Sequence, residues 1–189
     1  MSIIGRPAPH FSGDAAKHGE IVKLSLADFK GQWLVLFFYP LDFTFVCPTE
    51  IVGFNDVYEK FKAVGAEVVG CSVDSVHTHL AYTRTPRNQA GVGELAFPLL
   101  ADLSKDVARA YDVLTGDVAL RAVFIIDPGQ TVVASIVNSG GVGRNVDEVL
   151  RTLKAYQHVA THGGTCPANW KEGEKGMEMS LKGVAGHIG

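Results

Sequence analysis

Cys47 is set where a cysteine becomes reactive. It follows Tyr39-Pro40-Leu41-Asp42-Phe43-Thr44-Phe45-Val46 and precedes Pro48-Thr49-Glu50. Upstream, Trp33-Leu34-Val35-Leu36-Phe37-Phe38 is an apolar run long enough for a buried strand, and downstream the apolar residues take helical spacing. A cysteine just ahead of a proline, at a strand-to-helix junction, sits where a helix N-terminus favours its thiolate. The chemistry that suits it is attack on the O–O bond of a peroxide, leaving a sulfenic acid that condenses with a second thiol. Thr44, three residues earlier, could hydrogen-bond a bound oxygen substrate. Pro40, lacking an N–H, would help cover the sulfur and exclude water. An arginine brought in by the fold would add a second positive charge. An isolated cysteine reads more readily as a buried structural thiol; the P-x-x-x-T-x-x-C spacing in a strand-loop-helix setting reverses that.

The chain has three cysteines, an odd number with no close pair, which is neither a disulfide scaffold nor a zinc ribbon. Cys71 lies inside the apolar segment Glu67–Val73 and reads as a small core residue. Cys166 stands beside Pro167-Ala168-Asn169-Trp170, a thiol next to a large aromatic, which suggests docking against something. His158, His162 and Cys166 recur every four residues, as a metal-binding helix face would require, but Gly163-Gly164 interrupts the helix and no metal is expected. Gly91-Val92-Gly93 is too short for a nucleotide loop and no lysine follows it.

The elements that must position these residues alternate. Pro7-Ala8-Pro9-His10-Phe11 is an extended arm, and Glu20–Leu26 alternates as a half-buried strand paired with the region of Phe11. The run 33–38 is a central strand covered on both faces. Ile51, Phe54, Tyr58 and Phe61 make the stripe of one helix. A second buried strand over 67–73, a helix over 75–82 broken by Thr85-Pro86-Arg87, a short strand at 97–100 and a short helix at 105–111 follow. Asp127-Pro128-Gly129-Gln130 turns one strand (119–126) into another (131–137). Asn145 with Glu148 caps a last helix carrying Val146, Val149, Leu150, Leu153 and Tyr156. This is an α/β chain with a mixed central sheet and helices on both faces. From Thr161, seven of 29 residues are glycine, so residues 1–160 read as the folded domain and 161–189 as a mobile tail carrying Cys166.

The 17 basic and 20 acidic residues give a net charge of −3 without a basic block, which argues against nucleic acid. No apolar run approaches a membrane span, and the first residues lack the apolar stretch of a signal peptide, so the expected location is cytoplasmic.

Pro40 to Glu50 resembles the active-site signature of typical 2-Cys peroxiredoxins, the alkyl hydroperoxide reductase C group. The resemblance continues through Asp74-Ser75, His79-Leu80-Ala81, Thr85-Pro86-Arg87 and Phe97–Asp102. It then takes in Arg121 ahead of Phe124–Pro128, Gly143–Glu148 and Cys166–Trp170. It implies a thioredoxin-like fold with an N-terminal hairpin extension. Cys47 would be the peroxidatic cysteine, with Pro40, Thr44 and Arg121 as companions and with Glu50 and Arg144 orienting Arg121 and the loop. Cys166 would be the resolving cysteine, donated by the partner subunit of a homodimer, with dimers often forming rings of five. Hydrogen peroxide and organic hydroperoxides would be the substrates. Thioredoxin or a flavoprotein disulfide reductase would be the electron donor, and no metal or organic cofactor is implied.

Peroxiredoxins prone to over-oxidation resemble one another in a Gly-Gly-Leu-Gly loop and a C-terminal Tyr-Phe pair. This chain has Ala90-Gly91-Val92-Gly93 and a tail without Tyr-Phe, so it is expected to resist conversion of Cys47 to sulfinic acid. His77 and Tyr82 stand where relatives more often carry Phe and Trp, which bears on contacts between dimers. A general thiol-disulfide oxidoreductase is disfavoured because no C-x-x-C is present. A holdase or ring scaffold remains compatible with a peroxidase.

Overall fold

The structure, a computed structural model, describes residues 2–189. The chain divides into two compact units, Met1–Val146 and Asp147–Gly189. The first opens with a hairpin of β1 (Ser12–Lys17) and β2 (Glu20–Ser25), paired antiparallel from Ser12↔Ser25 to Lys17↔Glu20. The Leu26 N–H also donates to the Phe11 carbonyl at 3.0 Å, so the pairing reaches the region of Phe11.

Next come β3 (Trp33–Phe38), α1 (Cys47–Asp56), α2 (Tyr58–Ala63), β4 (Ala66–Ser72) and α3 (Val76–Arg84). After them lie β5 (Leu99–Ala101), α4 (Asp106–Ala110), a small hairpin of β6 (Leu114–Thr115) and β7 (Val118–Ala119), then β8 (Arg121–Ile126) and β9 (Val132–Asn138). Seven strands form one mixed sheet in the order β2-β1-β5-β4-β3-β8-β9. β3 runs parallel to β4 and antiparallel to β8, which pairs antiparallel with β9.

Successive residues of a strand face opposite sides, and β3 buries both. Phe37 stacks on Phe54 of α1 with centroids 4.4 Å apart. Phe38 meets Tyr111, just past α4, at 5.3 Å and Phe124 of β8 at 5.9 Å. Helices therefore cover both faces, and the uninterrupted apolarity of β3 follows from its central place.

The apolar stripe expected as one helix is two. The backbone breaks at Val57 (φ −113°, ψ 11°). The Tyr58 hydroxyl donates to Glu67 of β4 at 2.9 Å, and Lys62 pairs with the same carboxylate. Those contacts turn α2 onto β4 while Phe54 and Phe61 stay in ring contact at 6.1 Å, so the stripe continues through a bend it cannot reveal.

After α3, Gly91 donates its N–H to Pro86, and a Cβ there would lie 2.0 Å from the Thr85 carbonyl oxygen. Gly91→Ala must displace backbone, and we expect a loss of about 1–3 kcal/mol in unfolding free energy by chemical denaturation.

In the second unit α5 (Val146–His162, beginning one residue before the boundary) buries Val149, Leu150 and Leu153. The glycine-rich segment after it is more structured than its composition suggests. Thr165 bridges Met177, and Trp170 is buried with its Nε1–H donating to Glu174 at 3.0 Å. A helix α6 (Leu181–Ile188) starts on a Ser180 cap. Ser180 is a strong N-cap type, a local signal that the glycine count conceals. Among the described residues no helix is long and apolar enough to cross a membrane.

Candidate active site

α1 begins at Cys47 itself, with Pro48 second, where a missing N–H forfeits no helical bond. The Thr49 hydroxyl and the Thr49 and Glu50 amides donate to the Val46 carbonyl, closing the first turn. Cys47 is fully buried.

Two arginines reach this turn from far along the chain. Arg121 opens β8, and its Nη1 donates to Cys47 Sγ at 3.4 Å and to Glu50 Oε2 at 2.6 Å; its Nε donates to the Gly140 carbonyl at 2.8 Å. Arg144 donates from its backbone N–H and Nε to Glu50 Oε1 at 2.8 and 2.7 Å, and from Nη1 to the carbonyls of Phe38 and Ala122. Its guanidinium lies 5.6 Å from the centroid of the Phe37 ring, a cation–π contact.

All three side chains are at most 5% exposed, so the charges are felt strongly. Burial alone would raise the Glu50 carboxyl. The hydrogen bonds and charge of Arg144, with Arg121, outweigh that and hold it below its ordinary value. Burial likewise pulls Arg121 down, but Cys47 and Glu50 raise it overall. Glu50, to which the family resemblance gives the orienting of Arg121 and the loop, is the carboxylate on which both arginines converge.

Thr44 is half-buried, and its hydroxyl donates to the Leu41 carbonyl at 2.8 Å. With its proton committed, Thr44 Oγ1 offers lone pairs and can accept from an O–H. Pro40 lies half-buried, directly after Tyr39 at the end of β3.

The residues that fasten this loop were not assigned a role from sequence. Asp42 is buried, accepts from the Tyr39 hydroxyl at 2.7 Å and pairs with His79 Nδ1 of α3 at 2.7 Å. His79 Nε2 lies 3.2 Å from the Leu100 carbonyl, and the Asp42 N–H donates to Asp74 at 3.0 Å. Asp42, Asp74 and His79 fall within matched motifs, but only a fold brings residues 37 apart into contact.

Cys166 belongs to the second unit. It is half-buried beside a cavity of about 470 Å³ lined by Ala155, Tyr156, Val159 and Pro167, and its Sγ donates to the Ala155 carbonyl at 3.5 Å. Burial raises its thiol above the usual range, with Arg151 opposing. All three cysteines are free. His158 and His162 stack at 4.4 Å, and His158 meets Trp170 at 5.0 Å.

Comparison with known proteins adds to this geometry. The AhpC/TSA family model matches residues 4–135, and a model for the C-terminal domain of 1-Cys peroxiredoxin matches residues 155–186. Peroxiredoxin prdx-2 of Caenorhabditis elegans is 48% identical over 183 residues, covering 96% of this chain and 91% of that protein. A thioredoxin peroxidase of Trypanosoma brucei rhodesiense is 49% identical over 183 residues, covering 95% and 92%. The crystal structure of reduced Plasmodium vivax 2-Cys peroxiredoxin superposes with a TM-score of 0.96 at 41% identity, covering 100% of this chain and 99% of that one.

Proposed function

The chain belongs to the AhpC/TSA family of peroxiredoxins, and from that premise we propose that Cys47 is the peroxidatic and Cys166 the resolving cysteine of a thiol peroxidase. The observation that carries the reading is the Arg121 Nη1 donor 3.4 Å from Cys47 Sγ inside a buried cluster. Two guanidiniums, one carboxylate and a neutral thiol would leave a net buried positive charge. A Cys47 thiolate cancels it, and burying an uncompensated charge is costly.

The thiolate attacks one oxygen of the peroxide. The S–O bond forms as the O–O bond breaks, and the leaving oxygen departs as water or alcohol after taking a proton. Arg121 faces the charge that develops, and Thr44 Oγ1 accepts from the peroxide O–H to orient it. Pro40 shields the sulfur from water, and Glu50 and Arg144 hold Arg121 and the helix start in place.

Cys47–S–OH then condenses with the Cys166 thiol, giving a disulfide and one water. The thiol's raised pKa keeps it protonated, and so a poor target for oxidants, until that step. A thioredoxin or a flavoprotein disulfide reductase then supplies two electrons and two protons, and hydrogen peroxide and organic hydroperoxides are the substrates. The cytosol, which keeps thiols reduced, suits such a cycle.

A homodimer supplies Cys166 from the partner subunit, with five dimers forming a ring. β9 ends the sheet order, and Val137 on it is 48% exposed. An edge strand of that kind invites pairing with another copy; the opposite edge, β2, carries exposed Glu20 and Lys23 on either side of exposed Ile21.

One equivalent of hydrogen peroxide added to the reduced protein is expected to produce a dimer on non-reducing electrophoresis and a Cys47–Cys166 cross-linked peptide by mass spectrometry. A cross-link within a single chain would reject the intersubunit arrangement, and the absence of any cross-link would reject Cys166 as the resolving thiol.

A further inference from the structure

Between Asp42, fixed by Tyr39, His79 and Asp74, and Glu50, fixed by two arginines, the span 43–49 has few restraints. Its hydrogen bonds and ring contacts include Thr44 to Leu41, Cys47 to Arg121, the first turn closing on Val46, and the Phe43 ring against Tyr82 of α3 at 4.6 Å. Phe45, midway, is 93% exposed.

The Phe43–Tyr82 contact holds two unfavourable features at once. Phe43 has φ 53°, the left-handed region that a residue bearing a Cβ avoids. Tyr82 is fully buried, and among the described residues none accepts a hydrogen bond from its hydroxyl. The Phe43 amide faces that oxygen, while burial and the nearby Asp42 and Cys47 hold the phenol well above its ordinary pKa. A buried hydroxyl without a partner is destabilising, and removing it without changing shape is neutral or stabilising.

We infer that Tyr82 is a positioning residue that, acting through Phe43, biases the Cys47 turn toward opening. When the span 43–49 lifts, water reaches the Tyr82 hydroxyl and Phe43 leaves the left-handed region, so both features favour the open form. The inference rests on the reading of Cys47 as the peroxidatic residue, because two fates then compete for its sulfenic acid. Condensation with Cys166 forms S–S, releases one water and requires the turn to open. Attack of the closed sulfenate on a second peroxide forms another S–O bond, breaks O–O, releases water and leaves sulfinic acid. Tyr82 thereby favours the disulfide.

Tyr82→Phe tests this by two readouts. Hydrogen exchange at the Thr49 and Glu50 amides of the reduced protein is expected to slow about tenfold. The sulfinic-to-disulfide ratio at Cys47 under excess hydrogen peroxide, from mass spectrometry, should rise by a similar factor. The rate of sulfenic acid formation should stay near the wild-type value. In a Phe43→Ala background, where water already reaches the hydroxyl, Tyr82→Phe should change exchange little, giving a coupling that a purely structural tyrosine would not show. Unchanged or faster exchange in Tyr82→Phe overturns the inference, as does an equal effect in both backgrounds. If peroxide never oxidised Cys47 the functional reading would fail instead, while the exchange comparison would still judge Tyr82.

Discussion

Cys47→Ser is expected to lower peroxide consumption by about a thousandfold or more, the scale seen when an enzyme loses its nucleophile. A serine hydroxyl at this position is a poor nucleophile with no base beside it. Nothing else in the cluster could take over, because the groups around the sulfur are two guanidiniums and a carboxylate already satisfied by both of them. Cys166→Ser separates the two halves of the cycle. It should still consume one equivalent of peroxide per subunit with Cys47 stopping at the sulfenic acid, but should form no cross-linked dimer and not turn over with a disulfide reductant. Cys71→Ser is the control. Cys71 is fully buried in β4, and burial, with Asp102 adding to it, pushes its thiol well above the ordinary value; its serine variant should keep both steps. Stopped-flow peroxide consumption with non-reducing electrophoresis distinguishes the three. Full activity in Cys47→Ser would end the proposed mechanism.

How far the sequence alone could go is set by the range of its signals. Local patterns were readable. The run 33–38 is a central strand, Asp127-Pro128-Gly129-Gln130 does join β8 to β9, and Cys47 with Pro48 does open a helix. Periodicity could not register the break at Val57, which carries neither Gly nor Pro, nor the two-residue strands β6 and β7. Within the site, Pro40 and Thr44 lie at a local spacing from Cys47, whereas Arg121 and Arg144 are 74 and 94 residues from their partners Cys47 and Glu50. No residue pattern short of a family resemblance could have singled out those arginines. The Tyr39–Asp42–His79 network and the buried hydroxyl of Tyr82 escaped for the same reason. Their meaning comes from what surrounds them after folding.

Glu50 was visible as an acidic residue in a helix's first turn, a place where a carboxylate would gain only a few tenths of a kcal/mol from the dipole. Its position between two buried guanidiniums calls for a much larger role. Glu50→Ala leaves Arg121 and Arg144 without their shared acceptor at almost zero exposure. Removing one partner of a buried pair costs about 3–5 kcal/mol, a large share of the roughly 5–15 kcal/mol typical of a domain. We expect a melting temperature about 10 °C lower or more. Peroxidase activity should fall with it, because Arg121 keeps its Gly140 bond but loses the one that aims Nη1 at the sulfur. Acid provides a second measure. The folded Glu50 titrates below the ordinary carboxyl value, so its contribution is present at neutral pH and disappears as pH falls through that lowered pKa. Glu50→Gln should therefore be less stable than the native protein by a constant amount above about pH 5 and converge with it in more acid solution. Urea unfolding at pH 7 and at stepped acid pH measures both. A loss under about 1 kcal/mol at pH 7, or a gap that failed to narrow in acid, would mean that the two arginines are held by their backbone carbonyls and not by this carboxylate.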